Sequence, residues 1–173
     1  MKHSLTLLLG VTLLAGTAAS AQQSRVSPHE TTPAVLGGKK ITIEYGRPYK
    51  KGRVIFGGLE KFGQVWRTGA DEATTIETQG DLMLGSLHVP AGKYALFTIP
   101  DKTEWTLIIN KVAKQSGAYE YDAKQDLGRV KMKIEKSPKV IEQLTISIEG
   151  QGSRGTLKIA WDDTIASIPV MMH

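Results

Sequence analysis

The sequence predicts a single all-β domain of eight to ten antiparallel strands, folded as a β-sandwich or jelly roll. Apolar and polar residues alternate with a period of two along most of the chain, and strand-like runs recur about every dozen residues. No segment shows the three-to-four-residue repeat of an amphipathic helix. Since helices do not separate the strands, an α/β fold is disfavoured.

Alternation is clearest in KKITIEY, where Ile41, Ile43 and Tyr45 fall on one face of the predicted strand. The same pattern recurs in VKMKIEK (130–136), LTISIEG (144–150), TLKIAW (156–161) and IASIPV (165–170). Two further runs, KYALFTI (93–99) and EWTLIIN (104–110), are almost entirely apolar. They are predicted to be central strands that are buried on both faces.

Three other segments are predicted as connections. Residues 81–89 form a short hairpin that turns near Gly85, and the polar segment 114–128 is a loop or a single helical turn. Residues 47–73 contain five glycines and no sustained alternation. So long an irregular segment inside a compact domain is usually functional.

The first 21 residues have the three parts of a secretory signal peptide. Lys2 supplies a positive start, residues 5–15 are apolar, and Ala19-Ser20-Ala21 matches a small-x-small cleavage site. The apolar run is shorter than the ~20 residues that a membrane-spanning helix needs. We therefore expect cleavage before Gln22, a mature single domain over residues 22–173, and a location in the periplasm or outside the cell.

The composition excludes several kinds of chemistry. The absence of cysteine rules out thiol catalysis, iron–sulfur clusters, zinc–thiolate sites and a cysteine-linked lipid anchor. Eight basic and two acidic residues lie between Lys39 and Arg67, whereas 12 basic and 14 acidic residues follow. This positive segment could favour an acidic partner, or its cations could simply cover the solvent face of strands. Nucleic acid is not expected, because no nucleic-acid-reading motif is present.

Several motifs together resemble one known family. SPHETT (27–32), YGRPYKKGRVIFGGL (45–59), VWRTGADEATT (65–75) and VPAGKYALFTIP (89–100) are similar to domain-of-unknown-function family 2911, and the likeness continues to IPV (168–170). The resemblance implies an exported β-sandwich domain with no assigned activity. Relatives often have asparagine in place of Asp71, which shifts the weight of any carboxylate mechanism to Glu72.

The candidate site centres on VWRTGADEAT (65–74), which places an aromatic ring, a cation and two carboxylates around a glycine. We expect the SPHE segment, the loop after Tyr45 and this stretch to form one polar site. Its predicted ligand-binding residues are His29, Arg47, Trp66, Arg67 and Glu72. The arginines would contact an anion, Trp66 would form a packing or stacking wall, and Glu72 would orient the arginines.

Three functions are compatible with these residues. The same charges could form a structural network, with Arg67 paired to Glu72 or Asp71. They could bind a small anion or a glycan. Alternatively, Glu72 and His29 could act as general base and acid of a hydrolase for an envelope glycan or ester, because histidine changes charge near neutral pH.

No cofactor and no metal are expected. The chain lacks HExxH, GxSxG and P-loop motifs, and only His29 and His88 lie in its body, so a three-histidine zinc site within it would need the terminal His173. A site of His29, Glu30 and loop carboxylates stays open, provided that the two neighbours lie in a loop, since adjacent residues of a strand point to opposite faces. Asp162-Asp163 is predicted to form a capped turn.

Overall fold

The computed structural model describes residues 27–173. The predicted signal peptide lies outside the described residues. Nine strands make up the fold: β1 (His29–Leu36), β2 (Lys39–Gly46), β3 (Thr74–Thr78), β4 (Leu82–Leu84), β5 (Leu87–Val89), β6 (Gly92–Ile99), β7 (Glu104–Asn110), β8 (Asp126–Gln151) and β9 (Arg154–Met172). The predicted all-β class is confirmed.

Hydrogen bonds join all nine strands in one sheet, in the order β1-β2-β3-β6-β7-β8-β9-β4-β5. Every pairing between these strands is antiparallel. The strand number agrees with the predicted eight to ten. Because the sheet is continuous, the description as a sandwich or jelly roll stays a prediction.

Two strands are much longer than the sequence indicated. VKMKIEK and LTISIEG both lie in the 26-residue β8, and TLKIAW and IASIPV both lie in the 19-residue β9. The β8–β9 register shifts between Lys136 and Ile141 and again between Ile141 and Thr145. Such irregularities let a strand bend without ending, so the chain continues where a reversal was expected.

The predicted turn at Asp162-Asp163 is wrong, because both residues lie inside β9. Asp162 has a φ of 56°, which marks the local distortion of the strand. Its carboxylate accepts a hydrogen bond of 3.4 Å from the Ile55 N–H and lies 3.3 Å from Lys50 Nζ. These contacts attach the irregular segment to the centre of β9.

The larger of two core clusters includes residues from every strand. The central strands β6 and β7 are buried on both faces, as predicted, with Phe97 and Ile108 in a smaller second cluster. Trp105 and Trp161 are fully buried, which confirms their predicted place in the core.

Connections also follow the sequence closely. The β4–β5 hairpin turns at Gly85, whose φ of 57° suits glycine. A 3₁₀ turn at Ala123–Gln125 is the one helical element in residues 27–173, and within that range no helix is long and apolar enough to cross a membrane. Residues 47–73 contain no named strand, which confirms the irregular segment.

Candidate functional site

Three segments that are distant in sequence meet beside the end of β2. The Arg47 N–H donates to the Pro28 carbonyl at 2.7 Å, and the Ala70 N–H donates to the Gly46 carbonyl at 3.2 Å. A Cβ on Gly46 would lie 2.1 Å from the Ala70 carbonyl oxygen, so only glycine permits this approach. The start of β1, the loop after β2 and the loop before β3 are therefore held against one another.

Backbone and threonine contacts fix the loop that precedes β3. The Thr74 N–H donates to the Arg67 carbonyl at 3.2 Å, and the Thr74 hydroxyl donates to the Thr68 carbonyl at 2.9 Å. The Trp66 N–H donates to the Thr98 carbonyl at 2.7 Å, which attaches the loop to β6. The loop thus starts from a rigid part of the sheet.

Trp66, predicted to form a packing or stacking wall, lies in the core among other aromatic rings. Only 4% of the residue is exposed. Its ring stacks on Trp161 at 6.0 Å and meets Trp105 and Phe56 edge to face. The indole N–H donates to the Gly69 carbonyl at 3.3 Å. Trp66 therefore anchors the loop to the core through its ring contacts and its hydrogen bond to Gly69.

Arg47, a predicted anion-contacting residue, donates to three acceptors within the described part of the chain. Its three nitrogens donate to the Leu144 carbonyl at 2.8 Å, the Glu30 carboxylate at 2.8 Å and the Thr145 hydroxyl at 3.0 Å. With 27% of the side chain exposed, the guanidinium is largely enclosed. Arg47 therefore connects β1 to β8, and its charge is paired with Glu30.

His29 and Glu30 lie at the start of β1, so the loop position that a joint His29–Glu30 ligand set would need is not met. As neighbours in a strand they take different partners, and Glu30 pairs with Arg47. His29 Nε2 lies 3.2 Å from Asp71 Oδ2 and 3.4 Å from Glu72 Oε2. The structure thus places one imidazole and two carboxylates together.

A cavity of about 390 Å³ opens on the other side of Asp71. Arg67, Arg53 and Lys51 bring three positive charges to its wall, against the carboxyls of Glu60 and Asp71. The remaining lining residues are Ser27, Pro48, Tyr49, Leu59, Gly69, Ala70 and Trp161.

Both arginines are oriented by carbonyl groups. Arg53 donates to the Lys50 carbonyl at 2.9 Å and to the Tyr49 carbonyl at 2.5 Å, and Arg67 Nε donates to the Gly69 carbonyl at 3.2 Å. Within residues 27–173, Arg53 Nη1 and both Nη atoms of Arg67 have no hydrogen-bond acceptor. The cavity thus contains positioned donors that a ligand can use.

Glu60 shares this cavity and is half-buried. Burial raises the pKa of its carboxyl, and the charges of Arg67 and Arg53 only partly oppose the rise. Sequence reasoning missed Glu60, Arg53, Lys51 and Tyr49 as site residues. The one feature of the sequence that could have indicated these four residues is that all of them lie in the irregular segment 47–73.

A second cavity, of about 240 Å³, lies on the side of His29 and Glu72. Its other lining residues are Glu44, Tyr45, Gly46, Ala73 and Thr75. Asp71 lines the first cavity and contacts His29, which lines the second. The cluster of His29, Asp71 and Glu72 therefore borders both cavities.

A model of the family described as "Protein of unknown function (DUF2911)" matches residues 27–170, nearly the whole of the described chain. No curated protein and no solved structure matches the chain. The comparisons thus supply a family but no activity.

Proposed function

Since the chain belongs to the family described as protein of unknown function (DUF2911), whose name assigns no activity, we propose its function from the geometry of the larger cavity: it is an anion-binding module. The ligand is a carboxylate, phosphate or sulfate group, free or carried by a glycan. The protein meets this ligand in the periplasm or outside the cell.

The observation that carries this proposal is the pair of arginines in one cavity. Arg53 and Arg67 each donate to backbone carbonyls. These hydrogen bonds hold the planar guanidinium groups in fixed directions. Their remaining N–H groups can form charge-assisted hydrogen bonds, which are stronger than neutral ones. A preorganised cation also loses less side-chain entropy when it binds.

Arg67→Ala is expected to weaken sulfate binding roughly 10- to 100-fold, because it removes charge-assisted hydrogen bonds worth about 1.5–3 kcal/mol. Isothermal titration calorimetry with sodium sulfate measures this loss. The melting temperature should stay nearly unchanged, since the Nη atoms of Arg67 have no acceptor among residues 27–173.

Arg154→Ala is the matched control, because it removes the same charge from an exposed site in β9. It should bind sulfate like the parent protein. Equal weakening by both substitutions would show that net charge alone attracts the anion. A large fall in melting temperature for Arg67→Ala would instead identify Arg67 as part of the scaffold.

Sulfate affinity is expected to fall as the pH rises through the pKa of Glu60. Burial raises this pKa above 4.5, so the carboxyl is protonated at the low end of the titration and negative at the high end. The negative form repels an anion and pairs with the arginines. Sulfate itself keeps its charge in this range, so a change in sulfate affinity reflects a change of protonation in the protein.

Glu60→Gln should remove much of that pH dependence and keep the affinity at the low-pH value. The same raised pKa means that Glu60 destabilises the fold as the pH rises from its ordinary value of 4.5 through the folded pKa, and the cost is constant above that, so the variant should gain stability at neutral pH. An unchanged pH profile in Glu60→Gln would exclude this carboxyl from the cavity's electrostatics.

A hydrolase for an envelope glycan or ester is the second candidate, and one observation favours it. His29 and Glu72 line the same small cavity, with Nε2 and Oε2 separated by 3.4 Å. In such an enzyme Glu72 would activate a water molecule while His29 supplied the proton. Turnover of chromogenic esters or glycosides that disappears in His29→Gln tests this candidate.

A further inference from the structure

We propose that His29, Asp71 and Glu72 bind a divalent transition-metal cation of the Zn²⁺ class. Each residue offers one ligand atom, and these three atoms lie within 4.8 Å of one another. The proposal goes beyond the anion cavity, because His29 and Glu72 do not line that cavity, only Asp71 is shared with it, and metal binding can be tested without any anion.

The two separations that involve His29 fit a bound ion. A tetrahedral Zn²⁺ with bonds of about 2.0–2.1 Å keeps neighbouring ligand atoms about 3.3–3.4 Å apart. His29 Nε2 lies 3.2 Å from Asp71 Oδ2 and 3.4 Å from Glu72 Oε2. Both pairs are thus already at the spacing that the ion requires.

A hydrogen bond accounts for only one of these two contacts. The 3.2 Å separation between His29 Nε2 and Asp71 Oδ2 lies at the long end of the N–H···O range, whereas the 3.4 Å separation to Glu72 Oε2 lies beyond it. One Nε2 atom also carries a single proton, which cannot be donated well to two carboxylates at once. A cation placed among the three atoms would bind the imidazole nitrogen and one oxygen of each carboxylate at the same time.

The fold explains how two adjacent carboxylates can face one imidazole. In an extended strand, neighbouring side chains point to opposite sides. Asp71 instead has a φ of 64°, and the loop around it is held by the Ala70–Gly46 and Ala73–Gln115 backbone hydrogen bonds. His29 is placed opposite by the adjoining Arg47–Pro28 backbone bond.

The donor set selects the class of ion. Imidazole nitrogen is a ligand for Zn²⁺ and similar transition metals, whereas Mg²⁺ and Ca²⁺ prefer sites made of oxygen alone. Three protein ligands leave a fourth tetrahedral position for water or another molecule. The side chains of His29, Asp71 and Glu72 are 32%, 40% and 54% exposed, so that position is open to solvent.

The chain contains a matched control in its other histidine–carboxylate pair. His88 Nε2 lies 3.1 Å from Asp81 Oδ2, on an exposed part of the β4–β5 region. Among residues 27–173, no third convergent ligand group accompanies that pair. His88→Ala therefore removes a comparable histidine without touching the proposed site.

Tag-free protein, stripped with a chelator, is titrated with Zn²⁺ and separately with Mg²⁺ by calorimetry, and with Co²⁺ by visible absorption. The parent and His88→Ala proteins should each bind one equivalent of Zn²⁺. His29→Ala and Asp71→Ala should weaken binding more than about 100-fold, beyond the 10–100-fold loss typical of residues that only orient a ligand. The Co²⁺ spectrum should show tetrahedral or five-coordinate geometry in the parent and in His88→Ala, and His29→Ala should not show it.

Circular dichroism and thermal melting confirm that each variant is folded, and Asp71→Asn provides a nearly isosteric variant should Asp71→Ala unfold. Zn²⁺ binding that survives His29→Ala, that is lost equally in His88→Ala, or that is matched by Mg²⁺ would overturn the proposal. Sulfate binding is measured in parallel with the metal absent. Failure of the cation site therefore leaves the anion cavity independently tested.

Discussion

Trp66→Ala is expected to lower the free energy of unfolding by about 3–5 kcal/mol, the usual cost of removing a large aromatic side chain from a core. Trp66 is 4% exposed and contacts three other aromatic rings, so neighbouring side chains cannot easily fill the space. Urea unfolding followed by circular dichroism measures the loss. The loop that carries Arg67 should loosen as well, because Trp66 anchors it to β6.

Two further substitutions serve as comparisons for Trp66→Ala. Trp66→Phe keeps most of the ring contact and should cost less than Trp66→Ala. Tyr119→Ala removes an aromatic ring that is 90% exposed, and it should change the free energy by at most about 0.5 kcal/mol. If Trp66→Ala cost no more than the Tyr119 control, the ring would not belong to the core.

Arg47→Ala is expected to lower the free energy of unfolding by about 2–3 kcal/mol. The substitution removes three hydrogen bonds from a largely enclosed guanidinium and leaves Glu30 without its partner. The cost stays below the 3–5 kcal/mol of a fully buried pair, because 41% of the Glu30 side chain is exposed to solvent. Urea unfolding measures this loss too.

The control for Arg47 is Lys158→Ala, which breaks the 2.7 Å ion pair with Glu149. The Glu149 side chain is 63% exposed, so this pair should contribute less than about 1 kcal/mol. Arg47→Lys should fall between the two, since one ammonium cannot reach three separated acceptors. Similar losses for Arg47→Ala and Lys158→Ala would contradict the structural role of Arg47.

Periodicity predicted the strand faces well because burial acts on each side chain locally. Ile41, Ile43 and Tyr45 are all buried on the face that the alternation indicated. Strand length was harder to predict. A bulge and a loop look alike in sequence, and only pairing with β9 shows that β8 continues past Lys136.

The irregular segment was predicted, but the pairing of its charges was not. The segment was predicted from the break in alternation, and His29 and Arg67 were chosen as candidate residues from residue type. The partner of each charge depends on contacts between distant parts of the chain. Arg47, for example, finds its acceptors on β8, 97 and 98 positions away. Nothing in the local sequence of Arg47 indicates that choice.

The order of the strands has a consequence for how copies of the protein meet. A flat sheet with two free edges can add strands from another molecule, which leads to aggregation. Here β5 is only three residues long, and β1 carries Pro33, which has no N–H to donate. Short strands and proline are the devices that blunt such edges. Extension of the sheet from one copy to the next is therefore disfavoured at both ends.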